Sequence, residues 1–149
     1  MKRPFVIPPQ IAFVALALGS LFHALAPASW RVIPAVPVVG ILLLVAGVFV
    51  AVWAALLFRS KRTPILPTTL PTTLVTSGPF RFTRNPIYLG LLLILLSFVF
   101  LLGSLPMLTA PLFFLIVINF YYLPFEEAKM EKTFGESYLN YCQRVRRWL

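Results

Sequence analysis

The sequence predicts an all-α integral membrane protein of about four transmembrane helices, the last two forming a helical hairpin, followed by an amphipathic C-terminal helical tail. Three observations carry this reading. The 149 residues are 60% hydrophobic and only 11% charged, with a mean hydropathy of +0.91, where a soluble domain carries roughly 25% charged residues. The apolar residues gather in four runs bounded by proline, glycine and basic residues. When the chain is threaded back and forth through a bilayer, twelve of the thirteen basic residues fall on one side and Arg31 alone on the other. That bias orients a membrane protein, and it predicts cytoplasmic N- and C-termini.

The first span is expected at about 10–26, behind Lys2 and Arg3 and between Pro8-Pro9 and Pro27. Ala26-Pro27-Ala28 has the small residues of a signal-peptide cleavage site, but the run reads better as a retained anchor. Ala15 and Gly19 stand four residues apart and suit close helix packing. The second span, about 32–58, is uncharged, and Gly47, Ala51 and Ala55 repeat the small spacing. These two small faces are expected to meet. A loop over 63–76 follows, with Pro67-Thr-Thr-Leu70 repeated at once as Pro71-Thr-Thr-Leu74, and reads as an extended interfacial strap or a flap.

The third span, 86–102, and the fourth, about 107–125, are joined by Gly103-Ser104-Leu105-Pro106. So short a link forces an antiparallel hairpin. The runs match in length, so Asn85 at the start of one and Glu126 at the end of the other should be neighbours. In the cytoplasmic tail, 126–149, Met130, Phe134, Tyr138 and Cys142 recur every fourth residue, and Gly135 should divide it into two short helices. Such a tail lies on anionic lipid through Arg144, Arg146 and Arg147, or folds back as a lid. The whole of 1–149 reads as one domain.

Function is constrained by what is scarce. The net charge of +9 is split into short clusters beside apolar runs, which argues against nucleic acid. One cysteine and one histidine give no disulfide and no metal-ligand cluster, and His23 reads as interhelical packing or hydrogen bonding. No glycine-rich nucleotide loop is present. The four acids are Glu126, Glu127, Glu131 and Glu136. Two carboxylates ending a membrane helix oppose its dipole and call for a cation, either Arg81 and Arg84 or a ligand. Asn85 and Pro86 suit an N-cap and first helical position, aiming free N–H groups at the same place. Asn119, Tyr122 and Glu126, at i, i+3 and i+7, would present amide, phenol and carboxylate on one face.

Leu74 to Gly90 with its Arg84-Asn85-Pro86-Ile87-Tyr88 element, then Glu126-Glu127, then Phe134-Gly135-Glu136-Ser137-Tyr138-Leu139-Asn140-Tyr141, resemble the isoprenylcysteine carboxyl methyltransferase and phospholipid methyltransferase superfamily. Asn85 stands where many eukaryotic members have histidine. The resemblance covers the second half of the chain and implies a membrane methyltransferase using S-adenosylmethionine, held by the last hairpin and the C-terminal segment. It implies a cofactor site drawn from Arg84, Asn85, Pro86, Tyr88, Leu89, Gly90, Tyr122, Glu126, Glu127, Tyr138 and Tyr141. Glutamate would take the ammonium or ribose, Arg84 and the helix start the carboxylate, and the tyrosines the adenine or sulfonium. Gly90 would allow close approach. Arg81 and Arg144 would anchor the acceptor, a lipid-like or small carboxylate, thiol or amine molecule. An NADPH-binding membrane reductase-like protein and a non-enzymatic membrane scaffold are the alternatives.

Overall fold

The computed structural model describes residues 7–30, 36–63 and 71–149. Lys2, Arg3, Arg31 and the first Pro-Thr-Thr-Leu repeat lie outside them. The main elements are helices α1 (Pro8–Leu25), α2 (Pro37–Ser60), α3 (Pro86–Leu102), α4 (Leu105–Phe134) and α5 (Glu136–Arg144), with no strand among the described residues. α1, α2 and α4 are long and apolar enough to cross a membrane, and α3 is a shorter apolar helix of 17 residues. At about 1.5 Å per residue α3 covers about 25 Å, close to the hydrocarbon thickness of about 30 Å. Proline opens α1, α2 and α3 at the first turn, where its missing N–H costs nothing. Phe13, Leu25, Val38, Leu42 and Phe49 are more than 60% exposed. Such an apolar exterior suits lipid, and the protein is an integral membrane protein.

The helices pack in two pairs, and not the pair the small residues suggested. α2 lies along α3, and α1 lies against α4. A Cβ added to Gly90 would sit 2.6 Å from the Gly47 carbonyl oxygen and 2.8 Å from Ala51 Cβ. A Cβ on Gly19 would sit 2.9 Å from Ala110 Cβ. Each small face therefore meets a small residue of the C-terminal hairpin instead of the other small face. Gly90 is used for this helix contact. The hairpin itself forms as expected. Gly103 closes α3 in the left-handed region at φ 57°, and the Ser104 backbone N–H donates to the Val99 carbonyl at 3.2 Å.

α4 departs from expectation at both ends. It starts at Leu105 with a 3-10 turn and continues unbroken past Glu126 and Glu127 to Phe134. The glutamates therefore stand inside a helix, and the dipole conflict expected of them does not arise. Between Ile118 and Tyr122 the helix widens into a π-turn, just ahead of Pro124. Pro124 has no N–H for the Phe120 carbonyl and its ring crowds that turn, which the wider coil accommodates. The extra residue shifts the register. Tyr122 joins the buried cluster with Tyr88, whereas Asn119 turns toward the tail.

One end of the bundle gathers the start of α1, the end of α2, the start of α3 and the charged turn of α4, all around one cavity. At the other end Val36 N–H donates to the Phe100 carbonyl at 3.2 Å, and His23 Nδ1 and Ser104 Oγ share a 2.7 Å hydrogen bond. His23 is thus an interhelical hydrogen-bonding residue. Gly135, at φ 52°, separates α4 from α5 as expected. Of the polar loop, Thr72 N–H donates to Thr63 Oγ1 at 3.1 Å.

The glycine contact gives a direct test. In Gly90→Leu the new side chain meets backbone of α2 that cannot yield, and overpacking of this kind costs about 1–3 kcal/mol. The thermal unfolding midpoint in detergent should fall by several degrees.

Candidate active site

The loop before α3 is built to be held from outside. Gly78 takes φ 59°, and a 3-10 turn over Gly78–Arg81 buries Phe80 against Phe58 of α2, ring centroids 5.1 Å apart. Thr83 is buried, and its Oγ1 accepts the Asn85 backbone N–H at 3.2 Å. Asn85 occupies the N-cap position of α3, but its side chain does not cap the helix. Its amide donates instead to the Arg147 carbonyl at 2.8 Å.

The tail closes over this loop as a lid. α5 buries Tyr138 and Tyr141 and exposes Leu139, Asn140, Gln143 and Arg144. The Tyr141 hydroxyl donates to the Phe80 carbonyl at 2.7 Å. Beyond α5, Arg84 N–H donates to the Arg146 carbonyl at 3.0 Å, and Thr83 Oγ1 donates to the Arg147 carbonyl at 3.0 Å. Burial pushes both tail phenols well above their ordinary range, for Tyr138 with a further contribution from its hydrogen bond to Cys142. They stay neutral donors at any physiological pH.

The two glutamates have different partners. The Tyr88 hydroxyl donates to Glu126 Oε1 at 2.6 Å, so the ends of the hairpin are neighbours as the link length required. Glu127 receives Arg147 in a bidentate pair, Nε to Oε1 at 3.0 Å and Nη2 to Oε2 at 2.6 Å. It also pairs with Arg84 Nη1 at 3.2 Å. The hydrogen bond to Glu127 raises the Arg147 pKa. Arg147 Nη1 and Trp148 Nε1 both donate to Asn119 Oδ1 at 3.3 Å.

Between these parts lies a cavity of about 160 Å³. Arg84, Asn85, Pro86, Tyr88 and Glu126 line it, together with Phe58, Phe80, Ile87 and the α1 start at Ile7, Pro8 and Pro9. Glu127, Tyr122, Leu89, Gly90, Tyr138 and Tyr141 lie outside that lining, and so do Arg81 and Arg144, both exposed. Arg84 Nε is buried with no hydrogen-bond partner. Sequence reasoning missed the α1 start, Phe58 and Phe80. It also missed Arg147 as a partner of Glu127. The apolar lining carries no local signal, and a tail arginine at 147 looks like its neighbours at 144 and 146.

The tail closure is testable on its own. Tyr141→Phe leaves the buried Phe80 carbonyl without its donor, a loss of about 1–3 kcal/mol. Limited proteolysis should then cut within α5 severalfold faster, with the helices of the bundle still protected.

Residues 35–137 match the family described as phospholipid methyltransferase. An uncharacterized protein of Haemophilus influenzae is 44% identical over 62 residues, which is 42% of this chain and 98% of that protein. No solved structure matches. The match spans α2, α3 and all of α4, and so contains the loop, the α3 start and Glu126 that line the cavity, and Glu127 beside it. The chain belongs to the phospholipid methyltransferase family, within the isoprenylcysteine and phospholipid methyltransferase superfamily, and is a membrane methyltransferase by that membership.

Proposed function

We propose that the chain transfers a methyl group from S-adenosylmethionine to a lipid-like or small-molecule acceptor, at the cytoplasmic face of the membrane. The observation that carries this is the pairing of opposite charges across one cavity. Arg84 presents a buried Nε–H without a partner, and Glu126 presents a carboxylate with one oxygen engaged by Tyr88. A zwitterion with an ammonium and a carboxylate a few bonds apart fits such walls, and the amino-acid end of S-adenosylmethionine is one.

Arg84 Nε and the N–H groups of the first α3 turn would hold the carboxylate. Glu126 would hold the ammonium. Phe58 and Phe80 offer aromatic faces to a sulfonium or an adenine. The cofactor supplies an electrophilic methyl on sulfur. What this chain adds is alignment and the exclusion of water, since an in-line displacement depends chiefly on orientation. Ile7, Pro8 and Phe58 give the cavity an apolar wall between α1 and α2, suited to an acceptor with a hydrocarbon part. Ligand sites measure about 300–1,000 Å³, so on this reading the cavity of about 160 Å³ widens when the cofactor enters.

Family membership favours this reading over the NADPH-binding one. A scaffold would have a wholly self-paired polar cluster. Glu127 is self-paired, but Arg84 Nε is not. Every basic residue described lies in the last turn of α2 or after it, precedes α3 or lies beyond the apolar part of α4, which supports a cytoplasmic site with both termini on that side.

Calorimetric titration of the detergent-purified protein should show S-adenosylhomocysteine binding. Glu126→Gln should weaken it about tenfold, the loss of one charge-assisted hydrogen bond. Binding of NADPH without S-adenosylhomocysteine would reject the assignment. Reporter fusions at residue 104 should read extracytoplasmic and fusions after residue 149 cytoplasmic. The reverse pattern would put the cavity on the wrong side for a cytosolic cofactor.

A further inference from the structure

The two neighbouring glutamates do different work. Resting on the methyl-donor reading above, we infer that Glu126 is the carboxylate offered to a ligand, whereas Glu127 is a positioning residue that fixes Arg84, with Arg147 as its clamp.

Both oxygens of Glu127 are already engaged by guanidinium groups. Its Oε2 is bound to Arg147 Nη2 at 2.6 Å, and its Oε1 receives Arg147 Nε at 3.0 Å and Arg84 Nη1 at 3.2 Å. It is absent from the cavity wall that Glu126 helps to form. A bidentate guanidinium pair is directional and holds the carboxylate plane as well as its charge. Glu127 is therefore a rigid acceptor for Arg84.

Arg84 is held at one end and free at the other. Its Nη1 meets Glu127, Cys142 Sγ at 2.7 Å and the Tyr138 hydroxyl at 3.4 Å. Its Nε is buried and unpartnered, and Arg84 is one of the residues lining the cavity. A guanidinium is planar with its N–H groups in a fixed fork, so anchoring Nη1 sets the direction of the Nε–H. Without the Glu127 charge, the carboxylate that shares the cavity lining with Arg84 is Glu126. A pair between those two would neutralise both ligand-binding groups at once.

Arg147 ties this arrangement together through both its backbone and its side chain. Its carbonyl accepts from Thr83 and Asn85 on the α3 side, and its guanidinium holds Glu127 and Asn119 on the α4 side. Among the described residues it alone joins the loop to α4 in this double manner. Trp148 seconds it on Asn119, inside the π-turn.

The test compares two ligands. S-adenosylhomocysteine carries the amino-acid end, and methylthioadenosine lacks it. Glu127→Gln and Arg147→Gln should each weaken S-adenosylhomocysteine roughly tenfold or more and leave methylthioadenosine unchanged. Arg84→Ala combined with Glu127→Gln should bind S-adenosylhomocysteine no more weakly than Arg84→Ala alone. That non-additivity decides the matter even where methylthioadenosine binds too weakly to titrate. Equal loss of both ligands, additive losses in the double variant, or unchanged S-adenosylhomocysteine binding in Glu127→Gln would each overturn the inference and leave the methyl-donor reading standing. Failure of the unsubstituted protein to bind S-adenosylhomocysteine would remove that reading, and this inference with it.

Discussion

The neutralisation of Glu127 is the interaction on which the rest of this end of the molecule depends. An acid where a membrane helix meets water has to find a cation, and here it finds two guanidiniums from opposite directions in the sequence. Arg84 comes from the loop ahead of α3, and Arg147 comes from beyond α5. Meeting both requires the α3–α4 hairpin to bring its ends together and the tail to return across them. The side chains of the three residues keep 16–35% of their exposure. Water therefore screens the attraction in part, and the geometry of the bidentate pair matters more than its raw Coulomb energy.

The cavity exists because the helices are organised as two pairs. Small residues let α2 press onto α3 and α1 onto α4, so both pairs share the C-terminal hairpin as their common partner. α1 and α2 then flank the hairpin with little contact between them, and a space opens where the start of one nears the end of the other. Its floor is polar because the hairpin brings its charges there. Its sides are apolar because they are the ends of membrane helices. A site with one charged wall and one oily wall follows from packing before any consideration of catalysis.

Much of this could be read from the residues. The span pattern, the hairpin forced by Gly103 to Pro106, the break at Gly135 and the approach of the α3 start to Glu126 all follow from local rules that the tertiary structure leaves intact. The pairing of small faces did not follow, because Gly47 and Gly19 announce close contact without naming a partner. The end of α4 was misplaced for a related reason. Hydropathy falls at Phe125, but backbone hydrogen bonding has no cause to stop there and continues to Phe134. The π-turn at Ile118–Tyr122 moved Asn119 off the face it shares with Tyr122 in an ideal helix. A proline marks where such a turn can occur and does not fix its extent. Arg147 was the least legible residue, since its value lies wholly in where the chain folds back.

That fold-back also sets an order of events. Chains are made from the N-terminus at about 5–20 residues per second. Arg147 is made 20 positions after Glu127, roughly one to four seconds later at that rate. Until then the only one of Glu127's two guanidinium partners that the chain contains is Arg84. The charged cluster is therefore the last part of this end of the molecule that the growing chain can complete.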